Sequence, residues 1–228
     1  MDIKSALQNS ISIKPDKAKY FFKTNPGQYA EHDQFIGVSM PNLRKIAKDF
    51  SHANLLEIQG LLNSKINEER MLGLIILDAQ YKKAPHTIKE ELYNFYLNNL
   101  HNVNNWNLVD ASAHLIMGAH LFNKNKDILL ELAQSDNLWK RRVAIVATWY
   151  FIKKSDFAWT FKIATLLLND KHDLIHKAVG WMIREAGKKN LSVLLEFLDN
   201  YASKMPRVML RYSIEKLSIE QKKLYLTK

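Results

Sequence analysis

The chain has 228 residues, of which 47% are hydrophobic, enough to bury a substantial core. Its net charge of +10 favours an anionic partner, either nucleic acid or a membrane surface. The absence of cysteine excludes disulfides, zinc–thiolate centres and a cysteine nucleophile.

The amino-terminal segment has no apolar core of the kind found in signal peptides. The longest apolar stretch, Val143 to Ile152, is shorter than the ~18 residues expected of a membrane span. We therefore expect a cytoplasmic protein with no membrane partner.

The distribution of apolar residues predicts helices along the whole chain. Glycine (7) and proline (5) are scarce, which favours long helices joined by short loops. No convincing run of strand alternation is present. Ser39, just before Pro41, is predicted to cap a helix that has proline in its first turn. Further candidate caps are Ser51, Asn67 and Ser155.

Similar segments recur at an offset of 36 residues, with predicted helices near Ile66, Asn102, Leu138 and Leu174. A helix-pair repeat of about this length predicts an all-α solenoid of HEAT or armadillo type. We expect one domain over residues 1–228 and a concave basic groove. The alternative is that a helical protein produces such offsets by chance.

The repeat predicts which side chains face the same way. In this register Arg70, Trp106 and Arg142 are equivalent, and Asp110 lies one helical turn after Trp106. Trp181 lies one residue from the register of Asp110. Side chains of three neighbouring repeats are therefore predicted to converge on one patch of the concave surface.

Asp110 is the most unusual residue of this patch. Asn104 or Asn105 can cap its helix, so Asp110 is too deep to be the cap, and its neighbours are apolar. Aspartate is unfavourable inside a helix, and a carboxylate near a core needs a partner. Two interpretations are open: Asp110 serves a function, or it pairs with a basic side chain while Trp106 belongs to the core.

Four blocks of sequence, in the same order, resemble the AlkD-like family of bacterial DNA glycosylases, which are HEAT-like repeat proteins. The blocks are Phe35-Ile-Gly-Val-Ser-Met-Pro-Asn-Leu-Arg-Lys, Asn105-Trp-Asn-Leu-Val-Asp, Ser135-Asp-Asn-Leu-Trp-Lys-Arg-Arg and His176-Lys-Ala-Val-Gly-Trp-Met-Ile-Arg-Glu. The resemblance covers nearly the whole chain.

The resemblance implies excision of positively charged alkylated purines, chiefly N3-alkyladenine and N7-alkylguanine, from double-stranded DNA. It implies that Asp110 is the catalytic aspartate and that Trp106 and Trp181 are active-site tryptophans. Arg142 corresponds to an arginine that contacts phosphate, and Tyr20 is the nearest match to an aromatic residue that approaches the DNA. Some relatives lack the catalytic residues and bind DNA without excision. The alternative function is therefore that of a non-catalytic helical-repeat DNA-binding protein.

The chemistry of excision suits these residue types. An alkylated purine is cationic and leaves as a neutral base, so the transition state mainly needs stabilisation of an electron-poor sugar. A carboxylate supplies that stabilisation and can orient or deprotonate the attacking water. Indole faces attract cationic groups, and arginine grips phosphate.

Other basic residues are predicted to contact the DNA backbone as a group: Arg44, Lys45, Lys48, Arg184, Arg207 and Arg211. His172 and His176 have a spacing that can bind metal, but no carboxylate at ligand spacing completes a site. We therefore expect no metal and no cofactor. We also expect a monomeric protein.

Overall fold

The structure is a computed structural model that describes residues 2–227, without the side chains of Asp16, Lys17, Lys19 and Tyr20. This part of the chain is all-α, as the sequence predicts, with two isolated bridge pairs, Ile11 with Val38 and Gln34 with Ile66. No helix within it is long and apolar enough to cross a bilayer.

The chain divides into two compact units, one ending at Ser112 and the other beginning at Ala113. The helices of the first unit are α1 Ile3–Gln8, α2 Pro15–Phe22, α3 Met40–Asp49, α4 Leu55–Leu62, α5 Asn67–Lys83, α6 His86–Asn98 and α7 Trp106–Ser112, with a 3₁₀ turn at Leu100–Asn102. The second unit begins with a π-helical turn, His114–Gly118. Its other helices are α8 Ala119–Leu121, α9 Ile128–Ala133, α10 Leu138–Ala147, α11 Trp149–Lys153, α12 Ala158–Leu166, α13 Asp173–Lys189, α14 Leu191–Tyr201, α15 Arg207–Ser213 and α16 Ile219–Leu226, with a 3₁₀ turn at Ala202–Lys204.

In each unit the longest helix packs against the helices that precede and follow it in the sequence and against helices further away along the chain. Helix α5 contacts α3, α4, α6 and α7, and α13 contacts α10, α12, α14 and α15. Both helices bury apolar side chains, such as Leu72 and Leu77 in α5 and Val179 and Ile183 in α13. This packing of successive helix pairs is that of an α-solenoid-like repeat fold.

One side-chain position, repeated in three helices, marks the register of the repeats. Four residues after the N-cap of their helices, Arg70 donates to the Ser64 carbonyl at 2.7 Å and Arg141 donates to the Ser135 carbonyl at 2.9 Å. His176 donates from Nε2 to the Asp170 carbonyl at 2.5 Å in the same position of α13. The structure therefore makes Arg141 equivalent to Arg70. The strict 36-residue offset, which paired Arg70 with Arg142, is wrong by one residue because the repeats differ in length.

The predicted helix caps are right at some positions and wrong at others. Ser39 caps α3, and Asn105 caps α7 by accepting a hydrogen bond from the Trp106 N–H. The predictions at Ser51, Asn67 and Ser155 are wrong: α4 is capped by Asn54, α5 begins at Asn67 after Ile66, and α12 begins at Ala158. Each true start lies within a few residues of the predicted one, and α5 and α12 begin without a side-chain cap, so no capping residue marks their starts in the sequence.

The loop before α3 depends on Gly37. This residue has a φ of +88°, and its carbonyl accepts hydrogen bonds from the Ser12 and Ile13 N–H groups at 2.9 and 3.0 Å. A Cβ on Gly37 would lie 1.9 Å from the Ile13 carbonyl oxygen. Both the backbone angle and the close approach therefore require glycine.

Gly37→Ala is expected to destabilise the protein more than Gly27→Ala. Gly27 also has a positive φ, +76°, but a Cβ added there would meet no atom within 4 Å. The control therefore bears only the backbone cost of about 1–2 kcal/mol, and Gly37→Ala adds an overlap costing about 1–3 kcal/mol. Urea unfolding of both variants measures the difference. Equal losses would mean that the loop moves away from Ile13 at little cost.

His172 is expected to make stability depend on pH. Burial lowers its pKa, and its Nδ1 accepts a hydrogen bond from the Leu174 N–H at 3.1 Å, which only the neutral ring can do. The unfolded chain therefore takes up the proton more readily, so this contribution is present above a pH of about 6.5. It is lost as the pH falls through the lowered pKa of the folded state.

The measurement is urea unfolding at pH 7.5 and pH 5.5. His172→Asn keeps a capping oxygen that does not titrate, so the difference in unfolding free energy between the two pH values should shrink. The exposed His52, changed to Asn, is the control and should leave that difference as it is. An unchanged difference in His172→Asn would remove this histidine from the pH dependence.

Candidate functional site

The first unit contains an open cavity of about 470 Å³ bounded by residues of α2, α3, α5 and α7. Its lining is mainly apolar and includes Val38, Met40, Leu43 and Met71. Trp106 and Asp110, both predicted as site residues, also line it. An apolar pocket with a few polar groups is the usual form of a small-molecule or base-binding site.

Aromatic rings form one wall of this cavity. The ring of Phe22 stacks on Trp106, with centroids 5.1 Å apart and planes at 17°. Phe22 also stacks on Phe35, with centroids 4.6 Å apart and planes at 18°. Phe21 meets Trp106 edge-on at 5.4 Å and is 62% exposed. The stack covers one face of the Trp106 indole and restricts its orientation, and aromatic rings of this kind attract planar or cationic groups that enter the cavity.

Asp110 lies one turn after Trp106 on α7, so the two side chains share a face of that helix. Asp110 is half-buried, while Leu108 and Val109 beside it are fully buried. A carboxylate at the edge of an apolar cavity interacts strongly with a nearby positive charge, because little water screens the interaction. The arrangement can stabilise a cation and orient a nucleophile.

A second acidic residue, Glu68, supports the cavity wall. Its carboxylate accepts hydrogen bonds from the Gly37 N–H at 2.8 Å and the Ile36 N–H at 3.2 Å. These bonds hold the loop that carries Phe35 against the start of α5. Glu68 therefore has a structural role, although it also lines the cavity.

The second unit contains an aromatic cluster around Trp149. Trp181 meets Trp149 at 4.9 Å and 62°, and His114 lies 4.4 Å from Trp149. Lys153 Nζ lies 4.0 Å from the centroid of the Trp149 ring. Trp181, a predicted site residue, is half-buried within this cluster. Its predicted role in catalysis stays a prediction.

The basic residues predicted to contact DNA differ in their accessibility. Arg44, Lys45 and Lys48 are all exposed residues of α3. Arg184 is half-buried and forms an ion pair with Glu215. In α15, Arg207 and Arg211 are both exposed. Arg207 donates a hydrogen bond to the Leu226 carbonyl at 2.9 Å. The side chain of Tyr20 lies outside the described residues.

Arg142 is buried, with 5% exposure, and donates from Nη1 to the Leu174 carbonyl at 2.5 Å. It thereby joins α10 to the first turn of α13 within the second unit. The sequence predicts Arg142 on the concave surface as a phosphate contact, whereas the structure buries it, and the phosphate contact stays a prediction.

Arg142→Ala is therefore expected to lower the unfolding free energy. The Leu174 carbonyl loses a charged donor, a loss of about 1.5–3 kcal/mol. The matched control is Arg211→Ala, because Arg211 follows the N-cap of α15 by the same number of residues but is exposed. Its effect should stay within about 0.5 kcal/mol. Unchanged urea unfolding of Arg142→Ala, together with weaker DNA binding, would contradict the structural role.

The sequence does not predict every residue of the site. It gives no indication that Phe21 and Phe22 lie beside Trp106 or that Trp149 lies beside Trp181. The available signal was the pair of adjacent phenylalanines at the end of α2. In the described residues no group of three or more His, Asp or Glu side chains could hold a metal ion.

Both the sequence and the fold are similar to those of known proteins. The model of a family described as DNA alkylation repair enzyme matches residues 6–217. A solved structure, a predicted DNA alkylation repair enzyme from Enterococcus faecalis, is similar with a TM-score of 0.72 and 17% identity. The similarity covers 92% of this chain and 98% of that chain, and at this identity it shows the fold alone.

No protein of curated function matches the chain significantly. The family match nevertheless includes α3, α5 and α7, which line the cavity, and α13, which carries Trp181. Because the match spans most of the sequence, the chain belongs to the DNA alkylation repair enzyme family.

Proposed function

We propose that this protein is a DNA glycosylase that excises positively charged alkylated purines, N3-alkyladenine and N7-alkylguanine, from duplex DNA. Membership of a DNA alkylation repair family supports the proposal. The observation that carries it is the pair Trp106 and Asp110, one helical turn apart at the edge of an aromatic-walled cavity.

The reaction breaks the bond between C1′ of the deoxyribose and the purine nitrogen. The bonding electron pair moves to the cationic base, which leaves as a neutral molecule, and positive charge develops on the sugar. Asp110 stabilises that charge as an ionised carboxylate. Water then adds to C1′ and loses a proton, for which Asp110 is the proposed acceptor. No cofactor enters this scheme.

Trp106 contributes a π face rather than a proton. A cationic base or an electron-poor sugar is attracted to the face of an indole ring. The stack with Phe22 covers one face of the indole and keeps the ring in one orientation, and the opposite face is the one proposed to meet the lesion. Trp181 is proposed as a second tryptophan that contacts the lesion, on the basis of the sequence resemblance.

Helix α3 is the proposed backbone-binding element of the first unit. It contributes Met40 and Leu43 to the cavity lining and carries the accessible Arg44, Lys45 and Lys48. These side chains would neutralise phosphates without regard to sequence. The net charge of +10 is consistent with a nucleic-acid partner.

Asp110→Asn is expected to abolish most base release while keeping the fold and the affinity for DNA. Asparagine has nearly the same volume but neither stabilises a cation nor accepts a proton. A loss of at least about 100-fold is expected for a group that acts only in the transition state. The measurement is the release of N7-methylguanine and N3-methyladenine from methylated duplex DNA, with melting and DNA affinity measured on the same samples.

The matched control is Asp136→Asn, which removes the same charge from an exposed position of the second unit. It should leave base release unchanged. Equal base release by Asp110→Asn and the wild type would exclude the proposed role of Asp110. Binding of alkylated DNA by the wild type without any base release would instead support the non-catalytic DNA-binding function.

A further inference from the structure

Next to the cavity, the first unit buries a cluster of polar side chains: Asp33, Asn67, Arg70 and Asn105. The side chain of Asp33 is 0% exposed and that of Arg70 is 2% exposed. Asn105 is also 0% exposed. A buried carboxylate requires several donors, so the geometry of this cluster is restrictive.

Asp33 receives these donors from two helix starts. One carboxylate oxygen pairs with Arg70 of α5. The other accepts hydrogen bonds from Asn67 Nδ2 at 2.8 Å and from Asn105 Nδ2 at 2.6 Å. A single side chain therefore ties the beginning of α5 to the residue that caps α7.

The two residues that flank Trp106 are both hydrogen-bonded within this cluster, which we call the polar framework. Asn105 Oδ1 accepts a hydrogen bond from the Trp106 N–H at 2.7 Å, while the amide of Asn105 donates to Asp33. On the other side, Asn107 Nδ2 donates to Asn67 Oδ1 at 2.7 Å. The backbone of Trp106 is consequently held from both neighbours by buried or half-buried polar groups.

Asn105 differs from the other asparagines that cap helices in this chain. Asn54, Asn137 and Asn190 accept hydrogen bonds from backbone N–H groups of α4, α10 and α14, and all three are exposed. Capping alone does not require burial or a carboxylate partner. The additional bond from Asn105 to Asp33 therefore needs a further explanation.

We propose that Asn105, held by Asp33, is a positioning residue that sets the orientation of Trp106 for base excision. The inference rests on the proposed function. A rotation of the α7 start would tilt the indole away from Phe22, with which it now lies at 17°, and would displace Asp110 on the same helix. Asn105 acts through Trp106 and does not contact the reacting atoms.

Asn105→Asp keeps the hydrogen bond at the start of α7 but removes the hydrogen bond to Asp33. Aspartate keeps an oxygen for the Trp106 N–H and caps helices as well as asparagine does. Its second oxygen faces the Asp33 carboxylate, so the hydrogen bond is replaced by repulsion. The matched control is Asn137→Asp, which makes the same change at the exposed cap of α10. Asn105→Ser is a milder second variant, because serine caps but is too short to replace the amide, and it serves if the aspartate variant does not fold.

The experiment measures single-turnover base release at saturating enzyme, DNA affinity, and ¹⁹F spectra of protein labelled with 5-fluorotryptophan. The Trp106 resonance is assigned with Trp106→Phe. All measurements are made at a temperature at which melting curves show each variant to be fully folded. Under those conditions a residue that only adds stability leaves the single-turnover rate unchanged.

Asn105→Asp, or Asn105→Ser in its place, should lower the single-turnover rate at least about 10-fold, since small misplacements of catalytic groups are costly. DNA affinity should stay within about twofold, because Asn105 is 0% exposed and so has no surface with which to contact DNA. The Trp106 resonance should shift in the Asn105 variant and stay in place in Asn137→Asp. A wild-type rate with an unshifted Trp106 resonance in the folded Asn105 variant would overturn the proposal. If the wild type released no base, the proposed function would fail, and the resonance alone would still decide whether Asn105 positions Trp106.

Discussion

The buried carboxylate of Asp33 is the constraint on which the candidate site depends. Removing a charged group from water is costly, and one partner lost from a buried ion pair costs about 3–5 kcal/mol. The chain meets this cost with Arg70, Asn67 and Asn105, which come from two different helix starts. The Asp33 carboxylate keeps all these partners in only one arrangement of its loop and the starts of α5 and α7.

The rest of the site is built on the two helices that this framework positions. Helix α5 supplies Glu68, which holds the loop at Gly37, and helix α7 supplies Trp106 to the aromatic stack. The site thus combines a hydrogen-bonded polar framework with an apolar cavity. Helices carry its main side chains, which gives better-defined geometry than mobile loops do. Such an arrangement suits a reaction in which charge develops and little general-acid help is needed.

The sequence predicted the all-α repeat fold because helical periodicity and scarce glycine and proline are local signals. It also placed Trp106 and Asp110 on one helix face, since their spacing alone determines this. The buried framework was not predicted, because Asn67 to Arg70 form a polar run that resembles a solvent-exposed first turn. Asp33 gives no local signal, and its partners lie far along the chain. The register error at Arg142 has a similar origin: unequal repeats shift a strict offset, and a one-residue shift changes the face on which a side chain lies.

The most direct test of the account compares the affinity of the protein for two duplexes that lack a base. One contains a positively charged pyrrolidine ring in place of the deoxyribose, and the other contains a neutral tetrahydrofuran ring. An enzyme that stabilises a cationic sugar should bind the charged duplex more tightly, by at least about 10-fold. The preference should disappear in Asp110→Asn while affinity for the neutral duplex is kept. Equal affinities of the wild type for the two duplexes would contradict the claim that this site stabilises positive charge on the sugar.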